Sequence, residues 1–299
     1  MFSLKRYSLA AALGALPVAV GPALAAARTA GDPVPTIVAV QGTVVRWSVP
    51  GTKRCSMAGR SWAALQETCY YPIDMLRAPG LLKVSRKGVG PAQFAHISVE
   101  ASSYGTRDVE LGEIPQANPS PADLRRNTRD QAVLAKVWAK REGLARFTLP
   151  LGAPAAPLPE AKGFGAKWIF DGKPDTSEIH TGVDYALASG TPLVALADGT
   201  VVVSEDLFFT GNAVFVDHGN GLVSMYFHLS EIKVQAGQDV KKGETLGLAG
   251  STGRASGPHL HLGVRWHDAR ISPEALLDDP AEIPAIGAND QLQRGVATR

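Results

Sequence analysis

The sequence predicts a mainly β protein, built as two β-rich halves on either side of a single helix and a linker. Three observations point there. Gly (31) and Pro (21) residues are spread along the chain like turn punctuation, which favours short strands over long helices. Between them lie short runs rich in β-branched and aromatic residues. Only one stretch carries a clear helix-start signature. Hydrophobic residues at 45% and charged residues at 19% are globular values that exclude wholesale disorder, and 299 residues suggest about two domains.

The first 25 residues read as a secretory signal peptide. Lys5 and Arg6 precede an apolar run from Leu9 to Val20, and Ala23-Leu24-Ala25 supplies a small-residue cleavage site. The run is too short to span a bilayer, and an uncleaved anchor is the lesser alternative. Export to the periplasm or beyond is therefore expected, with no stable membrane span after cleavage. The formal charge of +2 belongs to this leader, since removing Lys5 and Arg6 leaves 28 basic and 28 acidic residues. A neutral mature chain gives no electrostatic argument for nucleic acid.

Residues 26–118 are expected to form an N-terminal, β-sandwich-like domain. Gly42–Ser48, Gly80–Ser85 and Ala95–Glu100 read as strands, with Pro50-Gly51, Pro79-Gly80 and Gly90-Pro91 between them. In an oxidising compartment Cys55 and Cys69 are expected to pair. Closing a loop of that length contributes about 3 kcal/mol in the chain-entropy model.

Residues 119–162 read as helix and linker. Ser120-Pro121-Ala122-Asp123 combines an N-cap, a proline at the first helical position and an acid three residues on. The helix is expected to run to about Glu142 and stop at Gly143. Leu124, Gln131, Leu134, Val137 and Trp138 form its packing stripe. Pro150, Gly152, Pro154, Pro157 and Pro159 then read as a linker between the halves.

Residues 163–279 are dense in hairpin signals. Leu193–Leu196, Val201–Ser204, Ala213–Asp217 and Leu222–His228 are strand candidates, with Asp198-Gly199 and Asn220-Gly221 as tight turns. Residues 280–299 have little periodicity and read as a loosely held tail.

Five of the seven histidines fall in this second half between His180 and His261. His180 and Asp184 are four residues apart around Gly182, which disfavours a helix; on an extended segment they share a face. In Gly257-Pro258-His259-Leu260-His261, period two puts both imidazoles on one face and Leu260, Leu262, Val264 and Trp266 on the other. Two adjacent imidazoles need a polar reason, and zinc is the economical one, with an aspartate completing three protein ligands. By the same alternation Ser224, Tyr226 and His228 share a face. His218 reads as a turn residue, His267 as solvent-exposed and His96 as an ordinary strand histidine.

The run HTGVDYALASGTPLVALADGTVV, then YFHLS, then VKKGETLGLAGSTGRASGPHLHLGV resembles the M23 (LytM/lysostaphin-like) family of zinc metallopeptidases. The likeness covers roughly Phe164 to Leu277, in the family's order and spacing. It implies an antiparallel β peptidase domain of the barrel-sandwich, duplicated-hybrid type. It further implies zinc ligands at His180, Asp184 and His261, and catalytic non-ligand histidines at His228 and His259. The N-terminal half more faintly resembles the β domain that precedes this domain in periplasmic members.

The family's substrates are the peptide parts of peptidoglycan. The resemblance therefore implies a zinc endopeptidase acting on stem-peptide cross-links, a D,D-endopeptidase reaction, with glycyl bridges as the alternative bond. His259 is expected to be the base and His228 the electrostatic partner. The loops 171–178, 206–212 and 251–257 are expected to set specificity, although no substrate-binding residue is legible. A wall-binding or hydrolase-activating protein on the same scaffold is the rival from another class. Val240–Gly247 also resembles the hairpin of lipoyl or phosphocarrier modules, but neither module accounts for Asp184.

Overall fold

The structure is a computed structural model, and it describes residues 34–139 and 143–287. The expected signal peptide and the last turn of the helix lie outside them. Among the described residues no helix is long and apolar enough to cross a membrane.

The N-terminal half contains β1 (Thr36–Val40), β2 (Val44–Ser48), β3 (Arg54–Met57), β4 (Arg60–Ala63), β5 (Thr68–Pro72), β6 (Gly80–Lys87), β7 (Gln93–Glu100) and β8 (Thr106–Val109). Five of them form a sheet in the order β1-β7-β6-β3-β4, and β2 pairs with β5. Alternation decides the inward face: Leu82 and Val84 on β6 and Ala95, Ile97 and Val99 on β7 are buried with Trp47, Tyr71 and Ile73. Cys55 and Cys69 sit in that core joined by a disulfide, with Cα atoms 5.4 Å apart.

The helix α1 (Pro121–Ala139) starts as the sequence suggests. Asp123 accepts from the Ser120 backbone N–H at 3.0 Å, and Ser120 Oγ accepts from the Asp123 N–H at 3.2 Å. Its packing face is shifted from the expected stripe. Val133, Leu134, Val137 and Trp138 meet the second half, whereas Leu124 is exposed; the apolar contacts come from the C-terminal part of α1, and nearer its start Arg126 reaches Asp206 of β14 through an ion pair at 2.8 Å.

The second half adds β9 (Ala161–Lys162), β10 (Lys167–Phe170), β11 (Lys173–Ile179), β12 (Gly182–Tyr185), β13 (Pro192–Val194), β14 (Gly199–Leu207), β15 (Gly211–Asp217) and β16 (Leu222–Leu229). It continues through β17 (Glu231–Ile232), β18 (Asp239–Val240), β19 (Thr245–Leu248), β20 (Leu260–Trp266), β21 (Ala269–Ile271) and α2 (Glu274–Leu277). The main sheet runs β18-β14-β15-β16-β20-β12-β9, with β21 on β20, and β13-β19-β17 form a smaller sheet. Every pairing in these two sheets is antiparallel. Tyr185, Leu193, Leu196, Tyr226, Leu262 and Trp266 fill the core between them.

Three expectations are corrected. The proline-rich stretch after α1 is no free spacer: Leu151 and Ala155 are buried in this core, and the Val194 N–H donates to Pro154 O at 2.8 Å. Up to residue 287 the tail is held, because Ile283 and Ile286 are buried and the Arg46 N–H donates to Pro284 O at 2.8 Å. His267 is not simply exposed; its ring stacks on Trp62 with centroids 4.1 Å apart. The two halves also share packing, since Val44, Leu65 and Tyr70 join the second core.

Candidate metal centre

The site is assembled on the outward face of three neighbouring strands. Asp184 on β12 lies opposite His261 on β20, and His261 lies opposite Phe227 on β16. Alternation sends Val183, Leu262 and Tyr226 into the core, so Asp184, His261 and Phe227 face outward together. Phe227 stacks flat on the His261 ring, with centroids 4.9 Å apart and planes 2° apart. His180 lies in the short break between β11 and β12. Gly182 lets the strand pass His261: a Cβ there would come within 2.4 Å of Leu262 O and 2.5 Å of His261 Nε2.

His180 Nε2, His261 Nδ1 and Asp184 Oδ1 converge. The two nitrogens are 2.8 Å apart, and each is 3.1 Å from the carboxylate oxygen. His180 Nδ1 lies 2.8 Å from Gly163 O and donates its proton there, which turns Nε2 toward the centre. Burial pushes the His261 pKa down to about 4. Burial alone would raise the Asp184 pKa, but contacts with His180 and His261 outweigh it and hold the carboxyl well below the usual range. At neutral pH Asp184 is therefore ionised and His261 is uncharged. Two imidazole nitrogens and a carboxylate this close need a shared positive centre, and the N, N, O donor set fits zinc.

His259 and His228 complete the group. His259 Nε2 is 3.7 Å from Asp184 Oδ1, and the His259 and His228 ring centroids are 4.7 Å apart. His228 reaches this side by a route that simple alternation does not give. Tyr226, on the face expected to carry His228, points into the core. Between the pairs Val214–Tyr226 and Asn212–Leu229, β16 carries one residue more than β15, and His228 takes φ +65°. This bulge turns His228 to the cleft while Leu229 re-enters the core. Burial lowers the His228 pKa to about 3, helped by the nearby His259 and His261. His218, outside the group, is buried between Asp198 O and Ser224 Oγ at 2.9 and 2.8 Å, a packing role.

Two neighbours have no signature in the sequence. Trp168 stacks on the His180 ring, with centroids 3.9 Å apart. A groove of about 460 Å³ over Asp184 and His259 has β8 residues Arg107–Val109, from the N-terminal half, as one wall and residues 254–258 as the other. Strand β8 gets there by pairing in parallel with β10.

An antiparallel β domain that gathers His, Asp and His at one point, with two more imidazoles beside them, has the layout of a metallohydrolase. Residues 178–273 match the model of peptidase family M23, and the chain carries a domain of this family. It is 46% identical over 82 residues to the peptidoglycan DD-endopeptidase ShyA of Vibrio cholerae, covering 27% of this chain and 19% of that protein. It is 44% identical over 101 residues to the DD-carboxypeptidase/endopeptidase Mpg of Neisseria meningitidis, covering 34% and 23%. The chain thus spans about a fifth of the length of these curated relatives. The crystal structure of a Pseudomonas aeruginosa protein assigned to peptidase M23 superposes with a TM-score of 0.60 at 29% identity, covering 80% of this chain and 94% of that one.

Proposed function

We propose that this protein is an exported, zinc-dependent endopeptidase that hydrolyses stem-peptide cross-links of peptidoglycan, most simply as a D,D-endopeptidase. The observation that carries the reading is the convergence of His180, Asp184 and His261 beside two further imidazoles at the foot of a groove. The names of the curated relatives supply the substrate class.

His180 Nε2, Asp184 Oδ1 and His261 Nδ1 would hold the ion. Zinc with three protein ligands polarises a water and lowers its pKa toward neutrality. The chain's own residues do the rest. Gly163 O and Phe227 fix the orientations of His180 and His261. The Nδ1–H of His259 donates to Gly257 O and that of His228 to Thr252 O, each at 2.8 Å, so both rings turn Nε2 toward the cleft. His259, nearer Asp184, is placed to take a proton as general base. His228 is placed to stabilise negative charge developing on the scissile oxygen, its Nε2 taking up a proton from solvent as that charge appears and favours the protonated ring.

Purified protein incubated with cross-linked sacculi should release uncross-linked muropeptides, read by liquid chromatography with mass spectrometry, and chelation should stop it. Zinc-loaded protein that cleaves no wall type would sink the peptidase claim and leave the wall-binding alternative.

A further inference from the structure

One side chain connects the three loops expected to frame the cleft. Arg254 lies in the 251–257 loop and forms a two-pronged ion pair with Glu178 at the end of β11, with Nη1 2.9 Å from Oε1 and Nη2 in contact with Oε2. Its guanidinium also lies over two aromatic rings, 4.3 Å from the Phe170 centroid and 4.6 Å from that of Phe209. Its backbone N–H donates to Phe209 O at 2.8 Å. Although charged, the side chain is only 16% exposed.

The same loop supplies the acceptors for both non-ligand imidazoles: Thr252 O for His228 and Gly257 O for His259. Arg254 stands between these two carbonyls in sequence. We infer that Arg254 is a positioning residue, which clamps this loop so that Thr252 O and Gly257 O hold His228 and His259 in one tautomer and one orientation. Arginine suits the task because its planar fork meets a carboxylate two-pronged while its faces stack on aromatic rings; a lysine ammonium does neither. The inference rests on the proposed roles of His228 and His259. Its structural half, that the clamp orders the two rings, stands apart from which bond is cut.

The test uses the full chain with Arg254→Ala and Arg254→Lys. In the zinc-free protein, nitrogen-edited NMR of the imidazoles should find His228 and His259 as slowly exchanging Nδ1–H tautomers. Both variants should lose that protection while the His218 signal stays unchanged. With zinc and a cross-linked muropeptide dimer, kcat should fall about 10- to 100-fold, the scale set by a misplacement near 1 Å. KM should stay within about threefold and bound zinc should be unchanged. Millimolar guanidinium should restore part of the activity to Arg254→Ala and none to Arg254→Lys, whose side chain still fills the slot. Unchanged imidazole signals in a folded variant, or kcat within twofold of wild type, would overturn the inference. If Arg254→Ala fails to fold, Glu178→Gln leaves the contacts with Phe170 and Phe209 in place and should give the same changes at smaller size. An inactive wild type would count against the proposed function, and the NMR comparison would still decide the clamp.

Discussion

His228 shows what a single residue's backbone contributes here. A non-glycine residue at φ +65° is seldom found without compensation. The compensation is visible in its N–H donating to Thr210 O at 2.9 Å and its ring anchored to Thr252 O. Such local strain is commonest where a side chain must be aimed. The histidines themselves were legible, because period two and an i, i+4 spacing on extended chain are local properties. The route of His228 was not, because a bulge is set by the partner strand. Arg254 and Trp168 were invisible for the same reason, each deriving its place from residues far along the chain. Two predictions belong at this scale. His261→Ala should lose zinc and activity together, whereas His259→Ala should abolish cleavage and keep most of the zinc, measured by metal analysis beside a turnover assay. Equal zinc loss in both would reverse the assigned roles. Gly182→Ala should weaken zinc binding at least about tenfold in a competition titration, since its Cβ collides with both Leu262 O and the His261 ring.

Among the elements, the strands of the second half were the most legible. Asn220-Gly221 announced the hairpin that β15 and β16 form, whereas Asp198-Gly199 closes none: β13 and β14 on either side of it pair in different sheets, and β14 turns into β15 at residues 208–210. Strands β1 and β8 carried no such announcement, and both pair in parallel with strands distant in sequence. The stretch 150–159 looked like a linker because proline and glycine signal turns whether or not the turns are buried; only the core reveals that Leu151 is inside it. At this scale the disulfide gives a prediction. Replacing Cys55 and Cys69 together by Ala should lower unfolding stability by about 3 kcal/mol in denaturant titrations. The staple lies in the N-terminal core rather than at the cluster of His180, Asp184 and His261, so zinc stoichiometry should not change; a drop in bound zinc would mean the two halves are coupled more tightly than their shared packing suggests.

For the molecule as a whole, the buried imidazoles set the response to acid. Burial holds His218 at about 4, His228 at about 3 and His261 at about 4, while in the unfolded chain each takes up a proton near pH 6.5. Between those values the unfolded chain binds more protons than the folded one, so stability rises with pH and is lost on acidification. The zinc-free protein should therefore show urea midpoints that fall steadily from pH 6.5 to pH 4; a flat profile would mean these rings are not buried as neutral groups. The held tail has a consequence of a different kind. Arg46 donates from Nε to Ile283 O, 237 residues further on, at 3.0 Å. Contacts of such separation form late and slowly, because the loop must be closed before it is rewarded. Strand β2 therefore waits for the far end of the chain before its outer edge is covered. Until then that edge is open to pairing with other chains, and shortening the chain after Asp279 should show first as aggregation during refolding rather than as lost chemistry.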